Sequence, residues 1–280
     1  MKTVQICLAT YNGGAFISSF LDSLVNQDLK DFEVLVSDDG SIDNTVDIIR
    51  SYEDRLNIVF YMNDSSKPMG SAQNFMGLLK VSSADYVLLA DQDDVWMSGK
   101  VRKCLALMAN AESKNLTAPM FVFSDYCLVD EDLCIIERSG LSKVTTNFSV
   151  NKLIQSLDYT NFIPGCTVVV NRRLVDLAVN LECNGEILMH DWWLALIAKY
   201  NGGIFLFIRE PLVKYRQHLN NVVGVSAKIS VATKIFSFLR FPREKLTQLE
   251  KQFKMAVNAG RKKSFLNFLM FRFFRGVWFE

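Results

Sequence analysis

The first hundred residues repeat one unit: a short β-rich apolar run, a polar turn, then a segment of helical period. Val4 to Ala9 leads into Thr10-Tyr11-Asn12-Gly13-Gly14, followed by a helical pattern with Phe16, Phe20, Leu21 and Leu24 on one face. Phe32 to Val36 ends at Ser37-Asp38-Asp39-Gly40-Ser41, where Asp43 or Asn44 is placed to cap a helix running through Arg50. Ile58 to Met62 is the third run, Gly70 to Lys80 a helix with Phe75, Leu78 and Leu79 inward, and Tyr86 to Ala90 the fourth run. Strands separated by single helices imply βαβ crossovers and a parallel sheet. Such a sheet delivers every strand end to one edge, where open α/β folds bind their ligands.

The polar clusters at that edge are the candidates for chemistry. The fourth run stops at Asp91-Gln92-Asp93-Asp94. Asp91 and Asp93, two apart on an extended segment, point the same way and can share a hard cation such as Mg²⁺ or Mn²⁺. A solvated acidic turn is the plainer reading. Asp38 and Asp39 alone make a routine turn. Beside the other clusters they become candidate readers of a base and ribose, because carboxylates accept from imide N–H groups and sugar hydroxyls. No G-x-G-x-x-G follows the first run and no G-x-x-x-x-G-K-[ST] occurs, which disfavours glycine-fingerprint dinucleotide folds and excludes P-loops.

After a helix at about residues 98–112 the pattern changes. Phe121 to Val129 and Cys134 to Glu137 read as a hairpin. Gly165 to Val170, Ile204 to Ile208 and Leu212 to Tyr215 read as short strands, and Asp191 to Lys199 as a helix. From about Ser226 onward only helices are expected, interrupted at Pro242 and Gly260. The expected boundaries are a main α/β domain over 1–225, with halves 1–112 and 113–225, and a basic aromatic region over 226–280.

Charge divides at nearly the same place. Residues 1–233 carry 20 Lys/Arg against 27 Asp/Glu, and residues 234–280 carry 11 against 3. The last seventeen residues hold six Phe and one Trp, broken by Arg272 and Arg275. A basic aromatic helix reads as binding an anionic membrane surface; burial against the main domain or a second subunit, as in a homodimer, is the competing reading. Nucleic acid is a weak third choice because the rest of the chain is acidic. Six cysteines without a CxxC pair, and two histidines, argue for reduced thiols rather than a zinc site. Neither a signal peptide nor a spanning apolar segment is visible, so a cytoplasmic protein, peripheral on the inner face of the plasma membrane, is expected.

ATYNGG near the start, VSDDGSIDNT after the second run and LADQDDVW after the fourth resemble the nucleotide-binding half of family 2 glycosyltransferases, which have the GT-A fold. The resemblance covers roughly residues 3–220. It implies that Thr10, Tyr11, Asp38 and Asp39 hold the nucleoside, with Asp91 and Gln92 nearby, and that Asp91 and Asp93 form the metal-binding pair on the donor diphosphate. Asp94 is left as a loop or capping residue. Asn161 to Arg173, with Gly165 and Cys166, resembles the loop and strand beneath the acceptor site of rhamnosyltransferase-like members. In MHDWWLALIA, Asp191 matches the acid that deprotonates the acceptor hydroxyl, and His190, Trp192 and Trp193 become candidate acceptor contacts. A helix cap with core tryptophans is the alternative there. In YRQHLNNVVG, His218 is a candidate metal or diphosphate ligand and Arg216 a candidate for neutralising phosphate. Leu219 stands where rhamnosyltransferases usually have Gly, which leaves that loop's conformation open.

The resemblance thus implies an inverting, Mn²⁺- or Mg²⁺-dependent transfer, with dTDP-L-rhamnose the leading donor and a lipid-linked surface polysaccharide the acceptor. UDP-hexose or UDP-N-acetylhexosamine donors are the alternative within the class. A nucleotidyltransferase shares the sheet and the acids but needs a basic glycine-rich first loop, and ATYNGGAF has no Lys or Arg. An inactive sugar-nucleotide-binding module differs only downstream of the first hundred residues, where Asp191 argues against it.

Overall fold

A computed structural model describes residues 2–62, 67–142, 149–181, 183, 186–218, 242–262, 264, 265 and 268. The opening alternation is present: β1 (Val4–Thr10), α1 (Ile17–Val25), β2 (Glu33–Asp38), α2 (Thr45–Arg50), β3 (Ile58–Phe60), α3 (Ser71–Val81) and β4 (Tyr86–Asp91). Strands β1 to β4 pair in parallel. Helix α1 shows why the period reads so clearly: Ile17, Phe20, Leu21 and Leu24 make one buried stripe against the sheet.

The second half continues the same sheet with mixed directions. It contains β5 (Val95–Trp96), α4 (Lys100–Glu112), β6 (Met120–Val129), β7 (Ile135–Glu137), α5 (Val150–Ser156), β8 (Val168–Asn171), α6 (Arg172–Asn180), α7 (His190–Tyr200), β9 (Ile204–Arg216) and α8 (Pro242–Asn258). The strand order is β3-β2-β1-β4-β8-β6-β9-β5, with β7 paired to β6. Two short strands expected at 204–208 and 212–215 form one, β9, whose register against β6 slips between Ser124 and Tyr126, opposite Pro211. Proline has no N–H to donate, so the ladder is interrupted there without ending. Helices α5 and α6 were not expected. Their start signals are present all the same, since the Ser149 and Asn171 side chains accept from the Lys152 and Leu174 amides.

Side chains alternate between two cores across the sheet. On β4, Val87 and Leu89 face α3, α6 and α7, while Tyr86, Leu88 and Ala90 face α1 and α4. Fully buried aliphatic and aromatic side chains such as these contribute about 1.5–3 kcal/mol each. Met255, Ala256 and Ala259 join the first of these cores. Tyr159, Leu249 and Phe268 form a smaller one with Phe253 and Phe265. The described aromatics of the basic region therefore bury against the preceding domain rather than standing apart. The membrane and subunit readings of 226–241 and 269–280 lie outside the described residues. Among the described residues no helix is long and apolar enough to cross a membrane.

Candidate active site

Register places the three polar strand ends side by side: Thr10 opposite Asp38, and Ala9 opposite Asp91. At β2 the acids are consumed by their own chain. Asp38 Oδ1 accepts from the Gly40 and Ser41 amides at 3.1 and 2.7 Å, and Oδ2 from the Thr10 and Ser41 hydroxyls at 2.7 and 2.6 Å. These four bonds fill the acceptor capacity of a carboxylate. Asp39, 5% exposed, accepts from the Met69 and Gly70 amides at 2.8 and 2.7 Å, tying β2 to the start of α3. Both hold loops. The Gln92 side chain likewise exchanges hydrogen bonds with the Tyr11 backbone, at 3.0 Å from the amide and 2.9 Å to the carbonyl. Gly13 allows this, because a Cβ there would lie 2.2 Å from Gln92 Oε1. The Tyr11 side chain remains half exposed at this edge.

The β4 acids are arranged differently. The Cys166 amide donates to Asp91. Burial and the neighbouring Asp93 and Asp191 charges push Asp91 up to about 8. Asp93 Oδ2 lies 2.8 Å from His218 Nε2, whose ring leans on Phe16 at 4.7 Å. Asp94 lies in the loop between β4 and β5, as expected, but it is buried: Oδ1 accepts the Arg216 amide at 3.0 Å, and Oδ2 has no N–H or O–H donor, the weak Cys166 thiol being the side chain that hydrogen-bonds this carboxyl. Lys100 is also wholly buried nearby, its Nζ 3.9 Å from the Trp96 ring centre. Sequence reasoning missed it because an N-terminal helix lysine normally faces water.

Oxygens of Asp91 and Asp94 and the Cys166 sulfur lie within 4.8 Å of one another, a grouping able to hold a metal ion. Cys166 is fully buried and burial pushes its thiol well up, so it stays protonated and suits neither Mn²⁺ nor an acceptor contact. The carboxylates fit a hard divalent cation: three acids crowd together, and one buried oxygen of Asp94 has no N–H or O–H donor.

Arg216 departs from expectation. It is 4% exposed, and its guanidinium donates from Nε to the Asp93 carbonyl at 2.7 Å, from Nη2 to Ser19 Oγ at 2.8 Å, and from Nη1 to the Glu131 carbonyl, with Phe16 packed on its face. The fork is spent clamping the acid loop to α1 and to the β6–β7 turn, so it does not neutralise phosphate. The two-residue β5, too short to leave a periodic signal, lays the acid loop along β9 and brings Arg216 there.

Asp191 opens α7, 3% exposed. It accepts from the Trp192 amide at 2.6 Å, and from the Asn161 side chain and the Gly165 amide. Burial outweighs these bonds and pushes it up to about 6. Gly165 and Cys166, consecutive residues, thus hold Asp191 and Asp91 respectively. The remaining acceptor candidates are corrected by burial. Trp192 and Trp193 donate from their indoles to the Leu157 and Ala178 carbonyls at 2.5 and 3.0 Å, and both rings lie in the core. His190 stacks on Phe75 at 3.7 Å, and burial lowers it to about 3, so it is neutral. A helix apolar nearly all round must be buried nearly all round. Asn161 lies in the segment expected beneath the acceptor site, but its contact with Asp191 was missed. Its place in the segment before β8 gave no sign that it meets α7.

The description "Glycosyl transferase family 2" matches residues 5–130. Residues 5–130 form a family 2 glycosyltransferase domain. The chain is 27% identical over 278 residues to the dTDP-rhamnosyl transferase RfbG of Shigella flexneri, covering 93% of this chain and 86% of that one. It is 27% identical over 174 residues to the Escherichia coli UDP-Glc:alpha-D-GlcNAc-diphosphoundecaprenol beta-1,3-glucosyltransferase WfgD, 62% of each chain. Its fold is that of GT-A glycosyltransferases. Residues 1–349 of Staphylococcus aureus TarS, in complex with UDP-GlcNAc, superpose with a TM-score of 0.64 at 17% identity, covering 97% of this chain and 72% of that one. The mannosyltransferase PcManGT of Pyrobaculum calidifontis, in complex with GDP-Man and Mn²⁺, gives 0.53 at 16% identity, over 92% and 69%.

Proposed function

We propose that this glycosyltransferase is inverting and metal-dependent, with Asp191 as its general base. The observation that carries the reading is the pair of adjacent amides, Gly165 to Asp191 and Cys166 to Asp91, which sets a buried carboxylate beside the crowded acids at the end of β4. Thr10, Tyr11, Asp38 and Asp39 frame the nucleoside, the two acids by holding the loops that surround it. Asp91 and Asp93, with His218 beside them, would hold Mn²⁺ or Mg²⁺, which would supply electrostatic stabilisation of the departing diphosphate. Asp191 takes the proton of the acceptor hydroxyl; that oxygen forms a bond to the anomeric carbon as the carbon–diphosphate bond breaks on the opposite face. A carboxylate raised to about 6 by burial is ionised at neutral pH and basic enough to serve.

The donor we favour is dTDP-L-rhamnose, supported by similarity to RfbG along most of the chain. A UDP-hexose is the second reading, supported by the similarity to WfgD, which also makes a lipid-diphosphate-linked saccharide on the inner face of the membrane the proposed acceptor. A panel of dTDP-, UDP- and GDP-sugars scored by nucleoside diphosphate release tests this. Release from dTDP-L-rhamnose alone is expected; release from UDP-glucose alone overturns the rhamnose assignment. Release from no donor in the presence of Mn²⁺ overturns the transferase mechanism.

A further inference from the structure

The C-terminal region buries a charge that none of this chemistry uses. Arg261 is 4% exposed. Gly260 closes α8 with φ +122°, a conformation that favours glycine, and a Cβ there would lie 2.9 Å from the Tyr200 side chain. The chain then folds back, and the Arg261 amide donates to the Ala256 carbonyl at 3.0 Å. The guanidinium lies among the rings of Tyr159, Phe253 and Phe268, at 4.9, 5.6 and 5.0 Å from their centres. Nη2 donates to the Tyr159 hydroxyl at 3.1 Å, and Nε is 3.9 Å from Asp158 Oδ2. Asp158 also accepts from Lys199 Nζ at 2.5 Å and the Tyr200 hydroxyl at 2.6 Å, both at the far end of α7.

A cation taken this far from water needs partners that repay its lost hydration. Its two polar partners, Asp158 and Tyr159, belong to one short stretch of the acceptor half, while Nε and Nη1 make no hydrogen bond and the rings cover the rest. The same stretch, residues 156–165, runs on to the active site. The Leu157 carbonyl accepts the Trp192 indole at 2.5 Å. Asn161 Oδ1 accepts the Ile163 amide at 3.2 Å, which orients the side chain whose amide donates to Asp191. Gly165 gives Asp191 its backbone donor.

We propose that Arg261 is a positioning residue for the catalytic base: through Asp158 and Tyr159 it pins residues 156–165, so that Asn161 and Gly165 hold the Asp191 carboxylate at the sheet edge. The inference rests on the reading of Asp191 as the base. Arginine suits the task because a planar guanidinium lies among three rings while one nitrogen donates to the Tyr159 hydroxyl, a geometry an ammonium does not offer. The basic C-terminal region then has a duty within the catalytic domain, separate from anything its remaining residues bind.

The test uses Arg261→Met in the full chain. Hydrolysis of dTDP-L-rhamnose and of UDP-glucose with Mn²⁺ is followed by nucleoside diphosphate release, and hydrogen–deuterium exchange is followed by segment. The expected result is a kcat lower by about 10-fold or more at a donor KM changed by less than about twofold. Exchange should rise in residues 156–165 while β1 and β4 stay as in the wild type. Arg261→Lys should recover part of kcat, since it keeps the charge and loses the fork. Wild-type kcat overturns the proposal, as does unchanged exchange in 156–165 or a donor KM that worsens in step with kcat. Tyr159→Phe removes only the hydroxyl that Arg261 reaches, and it carries the same readouts where the methionine variant does not fold. Asp191→Asn in the same assay separates the two readings. A fully active Asn variant removes the base; an inactive one beside a wild-type Arg261→Met removes only the latch.

Discussion

Two acidic strand ends lie next to each other on the same edge, and they are opposites. Asp38 and Asp39 close β2 with every acceptor position on Asp38 filled and Asp39 anchoring two amides. Asp91, Asp93 and Asp94 close β4 with mutual repulsion, a carboxyl raised to about 8 and an oxygen without an N–H or O–H donor. The sequence writes both as Asp-rich turns after apolar runs. The difference teaches that an acid saturated by its own chain builds the pocket, whereas one left short of donors awaits something from outside. Asp191 belongs with the second group by burial, although four donors reach it, its own amide among them.

The contrast predicts opposite mutational signatures. The largest effect is expected at Asp191→Asn: loss of a general base lowers kcat by roughly 10²–10⁴-fold. At pH 8 the same variant should melt no lower than the wild type, because it removes a buried charge; a large fall in midpoint breaks the assignment. Next, Asp93→Ala should raise the Mn²⁺ concentration for half-maximal activity by about 100-fold or more, and chelation of the wild type should abolish turnover until Mn²⁺ or Mg²⁺ is restored. Undiminished activity in that variant breaks the metal pair. Arg216→Lys should weaken Mn²⁺ activation by about 10–100-fold, since a lysine cannot reach the Asp93 and Glu131 carbonyls and Ser19 together. Full rescue by Lys, together with a salt-sensitive donor KM, returns Arg216 to the phosphate. The smallest effect on chemistry is expected at Asp39→Asn: stability falls by about 1.5–3 kcal/mol through the lost charge-assisted bonds. Its donor KM should rise while kcat stays within a few-fold. Loss of kcat without loss of stability there erases the contrast.

The pH dependence follows from Asp191. Its carboxyl is raised to about 6 from an ordinary value near 4, so the base is lost and kcat/KM falls as pH drops through about 6. Stability runs the other way. The folded state holds this proton more tightly than the unfolded chain, so the stabilisation linked to it is full below about 4 and is lost as pH rises through about 6. A pH–rate profile flat down to pH 5 contradicts the assignment.

The alternation of apolar runs, the parallel half-sheet, the shared edge and the acids upon it were all legible in the sequence. So was Asp191 at the start of a helix. These are local facts, because period and turn chemistry are set by residues within one or two turns of each other. Direction and satisfaction are not local. Arg216 reads as a phosphate ligand in YRQH, yet β5 and β9 carry its fork to the Asp93 and Glu131 carbonyls. The paired tryptophans read equally as sugar platform or core until α7 is buried on all sides. Arg261 reads as one of eleven basic residues in a tail, and only the packing of α8 on the acceptor half makes it a buried partner of Asp158 and Tyr159. The sequence by itself determined which side chains reach the edge. The tertiary structure decided which of them still lack a partner, because hydrogen bonds and burial are settled between residues tens to more than a hundred positions apart.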